Sequence, residues 1–219
     1  MSTTAPRPRL DRPGIVAAAI ALADEHGLEA ASMRKVAERL DVTPMALYKH
    51  VENRSELIDE MLDHLLAALP EGMDQEGWRS NVRARVLACR AILVAHPWMR
   101  EAIETRPLAT PQALAHMDAL MAAMFDGGLS ADLVHHAMHA LSTRMWGFTR
   151  DAMPTPSVPE DPHERERVVA AFTASYPSIM RMATYAPHAA AGCDEDAEFG
   201  FALDLILAGV YQLHQGGWR

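Results

Sequence analysis

The chain has 219 residues, 49% of them hydrophobic, with 20 Lys/Arg against 29 Asp/Glu for a net charge of −9. That length supports two modest domains with real cores, no run of about 18 uncharged apolar residues exists to span a membrane, and two cysteines, Cys89 and Cys193, exclude a disulfide framework. The acid is unevenly spread: residues 1–50 hold seven Lys/Arg and six Asp/Glu (+1), whereas residues 51–219 hold thirteen and twenty-three (−10). The N-terminal part is thus weakly basic and the remainder strongly acidic. Composition alone fits an ordinary acidic cytosolic protein.

Residues 1–10 read as a flexible arm. No apolar run precedes Arg7-Pro8-Arg9, so no secretory leader is expected and the location is cytoplasmic. Arg7, Arg9 and Arg12 either reach a minor groove or phosphates, or belong to a solvated tail. Asp11 is placed to cap a helix over about 12–26, with Ile15, Ala19 and Leu22 inward and Gly27 as its stop. Ser32 caps a second helix whose apolar side is Val36, Ala37 and Leu40. Asp41 takes a corner that favours positive φ, a conformation Asp tolerates better than most residues. Thr43 is placed to cap a third helix, with Pro44 at its first position, where no amide donor is needed. Leu47 points inward; Met45, Ala46, Tyr48, Lys49 and His50 are left outward, a set suited to base edges, thymine methyls and phosphates. Asn53 with Glu56 resembles a capping box opening a fourth helix to about Leu69. Helix, tight corner, helix is the layout that lays its second helix in the DNA major groove; a small helical bundle without a DNA role has the same apolar periodicity.

These residues resemble the tetracycline-repressor (TetR/AcrR) family of bacterial regulators. The match runs through Gly27, Ser32-Met33-Arg34-Lys35-Val36-Ala37, Leu47-Tyr48-Lys49-His50-Val51 and Asn53-Arg54-Ser55-Glu56-Leu57, about residues 11–65 in all. The resemblance implies an all-α homodimer with a DNA-binding head on a larger ligand-binding and dimerisation body. It implies DNA contacts from Arg34, Thr43, Pro44, Met45, Ala46, Tyr48, Lys49, His50 and Arg54, with Tyr48 and His50 mainly on phosphates and residues 43–46 and Lys49 nearer the bases. Asp41 departs from the family's usual glycine. Thr105-Arg106-Pro107 resembles a turn that moves on inducer binding in the tetracycline-repressor branch, and the stretch from Phe199 to Gly209 resembles that branch's last dimerisation helix. In that alignment the branch's magnesium-binding histidine falls on Ala102, and a drug-contacting histidine falls near Pro70. Neither residue does that work, so an effector other than magnesium-tetracycline is expected.

Beyond residue 70 the pattern predicts helices at about 75–95, 97–104, 110–125, 131–151, 163–175, 177–185 and 195–214, with Pro and Gly between them. The proline-rich run 154–162 either flanks a ligand entrance or is a plain surface connection. The 195–214 helix is apolar on two sides: Phe199, Leu203, Ile206, Val210 and Leu213 on one, Phe201, Leu205, Ala208 and Gly209 on the other. Two greasy sides call for two partners, one of them a second subunit. The 131–151 helix, with Val134, Met138, Leu141, Met145 and Phe148, is its expected companion in a four-helix interface. Asp132, His135, His136 and His139 cluster on that helix, and His135 and His139 share a face as metal ligands often do; polar lining of a pocket and plain interface histidines fit them too. Fourteen methionines and several aromatics suit a cavity for a bulky apolar ligand, although most of them will be ordinary core. The candidate effector-binding residues are Trp98, Arg106, Met117, Met121, His135, His139 and Trp146, with Arg106 as partner to an anionic or carbonyl group.

No GxSxG, P-loop or GxGxxG occurs, so neither catalysis nor a cofactor is expected. The sequence therefore predicts an all-α chain in three parts: an arm at 1–10, a three-helix helix-turn-helix domain at 11–54, and a ligand-binding and dimerisation body at 55–219. The predicted function is a ligand-responsive regulator, a repressor released from a palindromic double-stranded DNA operator by a small-molecule effector. The alternative is a metal-binding sensor or enzyme using the His135/His139 helix.

Overall fold

The computed structural model describes residues 10–70, 76–107, 109–142, 144–147, 159–185 and 194–218, among which there is no strand. Helix α1 (Arg12–His26) starts where Asp11 Oδ1 accepts from the Gly14 amide at 2.9 Å, and stops at Gly27 with φ 80°. A 3₁₀ turn at Leu28–Ala30, not foreseen from sequence, joins it to α2 (Met33–Arg39). The Ser32 hydroxyl caps α2 by accepting from Lys35 N at 3.3 Å. Asp41 has φ 53°, so the corner needs the left-handed conformation and Asp supplies it. Helix α3 (Pro44–Leu47) is a single turn extended by further turns to His50. Thr43 holds the N-cap position in extended backbone, but its side chain makes no capping bond, which corrects the expectation that it would.

Helix α4 (Arg54–Leu66) opens on Asn53, whose Oδ1 accepts from Glu56 N at 3.0 Å. The Glu56 carboxylate returns to Glu52 N at 2.5 Å, one residue earlier than a capping box would place it. Ile15, Ala19, Val36, Ala37, Leu47, Val51, Leu57 and Met61, each at most 1% exposed, form the core of the head.

Helices α5 (Trp78–Ala95), α6 (Met99–Thr105), α7 (Pro111–Asp126) and α8 (Ala131–Ala140) follow. Helix α4 packs on both α1 and α7, and so ties head to body. Helix α8 is half the predicted length. It ends at Leu141, and the chain turns through a 3₁₀ segment at Arg144–Trp146 into Gly147, whose φ of 81° no helix accommodates. Val134, Met138, Leu141 and Met145 are buried within the protomer. The face expected to meet a second subunit therefore points inward, while Asp132, His135, His136 and His139 are exposed.

The chain divides into two compact units, Met1–Phe148 with Leu205–Arg219, and Thr149–Asp204. In the second unit α9 (Pro162–Ser175) has no buried residue, and Phe172 meets Tyr176 with ring centroids 5.0 Å apart. It is followed by α10 (Pro177–Tyr185), and α11 (Glu195–Gln215) contributes residues to both units. On α11, Phe199, Leu203, Leu207 and Val210 are buried, whereas Phe201 and Leu205 are 67% and 62% exposed; the second apolar side read from sequence is present and uncovered. The arm residues 1–9, Phe148, Cys193 and residues 154–158 of the proline-rich run lie outside the described residues. Among the described residues no helix is long and apolar enough to cross a membrane.

Candidate DNA-binding and effector sites

The segment 43–50 is a rod held at its back by Leu47, fully buried, and open at its front. Met45 is 70% and Tyr48 45% exposed; Thr43, Pro44 and Lys49 are exposed, and Ala46 and His50 half-buried. Arg34 on α2 is exposed as well, its guanidinium 3.0 Å from Glu38 one turn on. Eight of the nine residues expected at DNA are thus exposed or half-buried, one on α2 and seven on the 43–50 segment. The ninth, Arg54, is engaged within the head. Its guanidinium donates to the carbonyls of Leu28 (3.0 Å) and Ala31 (3.3 Å) and pairs with Glu29, so it braces the turn between α1 and α2. Arg12 is likewise committed: it donates to the carbonyl of His50 at 2.9 Å and pairs with Glu56 and Glu60 of α4. It ties the end of the exposed rod to α4, a structural role that the arm reading missed.

Of the seven residues expected at an effector, two line one cleft. Arg106 and Trp146 line a cleft of about 220 Å³ together with Leu62, Leu66, Ile103 and Pro107. The Arg106 guanidinium grips α4, pairing with Asp59 and donating to the Ser55 hydroxyl at 2.6 Å. Trp98 is elsewhere: buried, its Nε1–H donates to Asp24 Oδ1 of α1 at 2.7 Å, and His96 shares that carboxylate at 2.8 Å. Met117 and Met121 are half-buried on α7 away from that cleft. His135 and His139 meet edge to face on the surface, with ring centroids 4.5 Å apart. Among the described residues no three His, Cys, Asp or Glu are placed to hold a metal ion.

Sequence reasoning missed His116. It is fully buried on α7, tilted against Trp146 with centroids 5.2 Å apart. Its Nε2–H donates to the Met145 carbonyl at 2.8 Å, and its Nδ1 accepts from Arg85 Nε at 3.2 Å. The signal was available: Ala113, His116, Leu120 and Ala123 share helical spacing, which puts this histidine on the inward stripe. Burial, and then the Arg85 charge, hold its pKa down at about 4 against an ordinary 6.5, although the Met145 bond opposes the shift. The folded chain therefore keeps His116 neutral while the unfolded chain protonates it below about pH 6.5. Stability falls as pH drops through that window, by about 2 kcal/mol between pH 7 and pH 5. Thermal melts across that range should show the slope in the wild type and a flatter one in His116→Phe; equal slopes would refute the assignment.

An exposed second helix of a helix-turn-helix, braced from behind and joined through α4 to a helical body with a cleft, defines a DNA-binding regulator with a sensory domain. The chain belongs to the tetR family of bacterial regulatory proteins: residues 15–61 match that family and residues 69–213 match the tetracyclin repressor-like C-terminal domain. It is a DNA-binding transcriptional regulator. It is 28% identical over 214 residues to an HTH-type transcriptional regulator of Saccharopolyspora erythraea, covering 93% of this chain and 86% of that one. It is 34% identical over 127 residues to the HTH-type transcriptional repressor DrrR1 of Streptomyces coeruleorubidus, a match that spans 57% of this chain and 47% of that protein. Its fold is similar to that of apo ActR from Streptomyces coelicolor, with TM-score 0.69, 25% identity and 95% and 96% of the two chains covered.

Proposed function

We propose that the chain is a homodimeric, cytoplasmic one-component repressor that leaves a palindromic operator when a small molecule occupies its body, and that it is not an enzyme. The observation that carries this reading is the exposed rod 43–50 seated on buried Leu47 and Val51. Functionally, residues 1–10 are the arm, 11–54 the DNA-binding domain and 55–219 the effector and dimerisation body. Thr43, Pro44, Met45, Ala46 and Lys49 face the bases, and Arg34, Tyr48 and His50 the phosphates. The relatives support the effector half: ActR has been solved with (S)-DNPA and with actinorhodin.

The proposed switch runs through α4. Its carboxylates hold three other elements: Glu56 and Glu60 hold Arg12 of α1, Asp59 holds Arg106 at the end of α6, and Asp63 accepts from the Gln112 amide at the start of α7 at 3.0 Å. A ligand in the cleft that displaces Arg106 frees α4 to swing and spreads two heads beyond the spacing of adjacent major grooves. A coupling of about 2–3 kcal/mol weakens operator binding by about 30- to 150-fold. Selection from random duplexes tests the reading. An enriched palindrome with half-sites about one helical turn apart supports it, and no enrichment overturns it.

The dimer surface in this proposal includes the uncovered side of α11. A Cβ added at Gly209 meets nothing within 4 Å in the protomer, and Leu205 beside it is exposed. Gly209→Trp is therefore expected to leave the protomer folded and to convert dimer to monomer. Light scattering reads the outcome, and an unaltered dimer mass would place the interface elsewhere.

A further inference from the structure

Arg85 on α5 is half-buried and, among the described residues, has no carboxylate partner. Its Nε–H donates to the His116 ring, and a terminal N–H donates to the Pro70 carbonyl. Of the five donors on a guanidinium, these contacts use two. The titratable neighbours add no countercharge: His116 is neutral, and burial pushes the Cys89 thiol up to about 12. A guanidinium stays charged at any physiological pH, so a full cation sits here among neutral groups. Five other arginines are placed differently. Arg12, Arg39, Arg54, Arg100 and Arg106 each rest against a carboxylate, and several of those pairs are more open to water. Among the described residues no opposite charge offsets the partial desolvation of this cation. Its position is specific, too. His116 joins Arg85 to Trp146, and Trp146 is also a wall of the apolar cleft.

We propose that the effector is an amphiphilic anion, with an apolar body for the cleft side of Trp146 and an acidic oxygen group that supplies Arg85 with its missing countercharge. This rests on the reading that the body binds a small-molecule effector. The unused N–H donors of Arg85 form a planar fork that matches a carboxylate or sulfonate in two parallel bonds. A neutral molecule of the same shape forfeits those bonds and leaves the cation uncompensated.

Two fluorescent probes separate shape from charge: 8-anilinonaphthalene-1-sulfonate, an anion, and N-phenyl-1-naphthylamine, its uncharged counterpart. Titrated into the full-length protein, the anion is expected to bind at least tenfold more tightly. Arg85→Gln should bring the two affinities within about threefold by weakening only the anion, a gap of less than 1 kcal/mol. Arg85→Lys should keep part of the preference, since it retains the charge but not the fork, and it serves as a second test where the glutamine variant fails to fold. Arg100→Gln, at a paired surface arginine, should change neither probe. Equal wild-type affinities, or a preference that survives Arg85→Gln, would overturn the inference while leaving effector binding intact. Binding of neither probe would overturn effector binding itself.

Discussion

Tyr48→Ala with Lys49→Ala is expected to lower affinity for a selected operator by at least about 1000-fold, counting about 1–3 kcal/mol for each lost base or phosphate contact and four such contacts in a dimer. Both side chains are exposed, and neither belongs to the buried cluster that holds the head together. Surface substitutions of this kind shift stability by about 0.5 kcal/mol or less, so the thermal midpoint and the dimer mass should not move. The neighbour between Ala46 and Tyr48 makes the contrast. Leu47 is 0% exposed, and Leu47→Ala should cost about 2–5 kcal/mol of stability and lose DNA binding only because the rod loses its seat. Gel shift and calorimetry on the two variants separate contact from scaffold. An operator shift that persists in the double variant would remove the 43–50 segment from the DNA and, with it, the account of how this chain acts.

What the sequence made legible was local. Asp11, Ser32 and Asn53 cap helices because their side chains reach amides three residues on, and Gly27 and Asp41 take left-handed corners; each is a property of a few adjacent residues. The exposed rod was legible for the same reason, since one inward Leu47 leaves its neighbours outward. What the sequence hid was long-range partnership. Arg54 and Arg12 look like free cations, yet their partners Glu29, Glu56 and Glu60 are 25 to 48 positions away. Arg106 lines a cleft, but its grip on Asp59 was invisible. Apolar periodicity running from Val134 to Phe148 suggested one long helix. It described instead a shorter helix followed by a turn, both burying apolar groups, and periodicity does not register the backbone demand at Gly147.

That demand predicts the largest stability loss in the body. Gly147 has φ 81°, and a Cβ built there lies 2.6 Å from Arg90 Cα, 2.9 Å from its Cβ and 3.1 Å from its N. Flexible side-chain ends would yield; the backbone of α5 does not, because α5 packs along α7 and against the Arg144–Trp146 turn. Arg90, itself only 6% exposed, also donates to the Gly147 carbonyl at 2.9 Å. Gly147→Ala therefore combines left-handed strain of about 1 kcal/mol with overpacking of about 1–3 kcal/mol. A loss of about 3 kcal/mol should lower the melting temperature by about 6–12 °C in a chain of this size. The damage reaches the sensory site directly, since Met145 and Trp146, two and one residues before Gly147, supply the carbonyl that orients His116 and a wall of the cleft. Probe binding by Gly147→Ala should thus weaken at temperatures well below its melt, before the head unfolds. A melting point within 2 °C of wild type, about 1 kcal/mol or less, would mean that α5 yields where the packing says it holds, and the rigid link between this turn and the cleft would have to be abandoned.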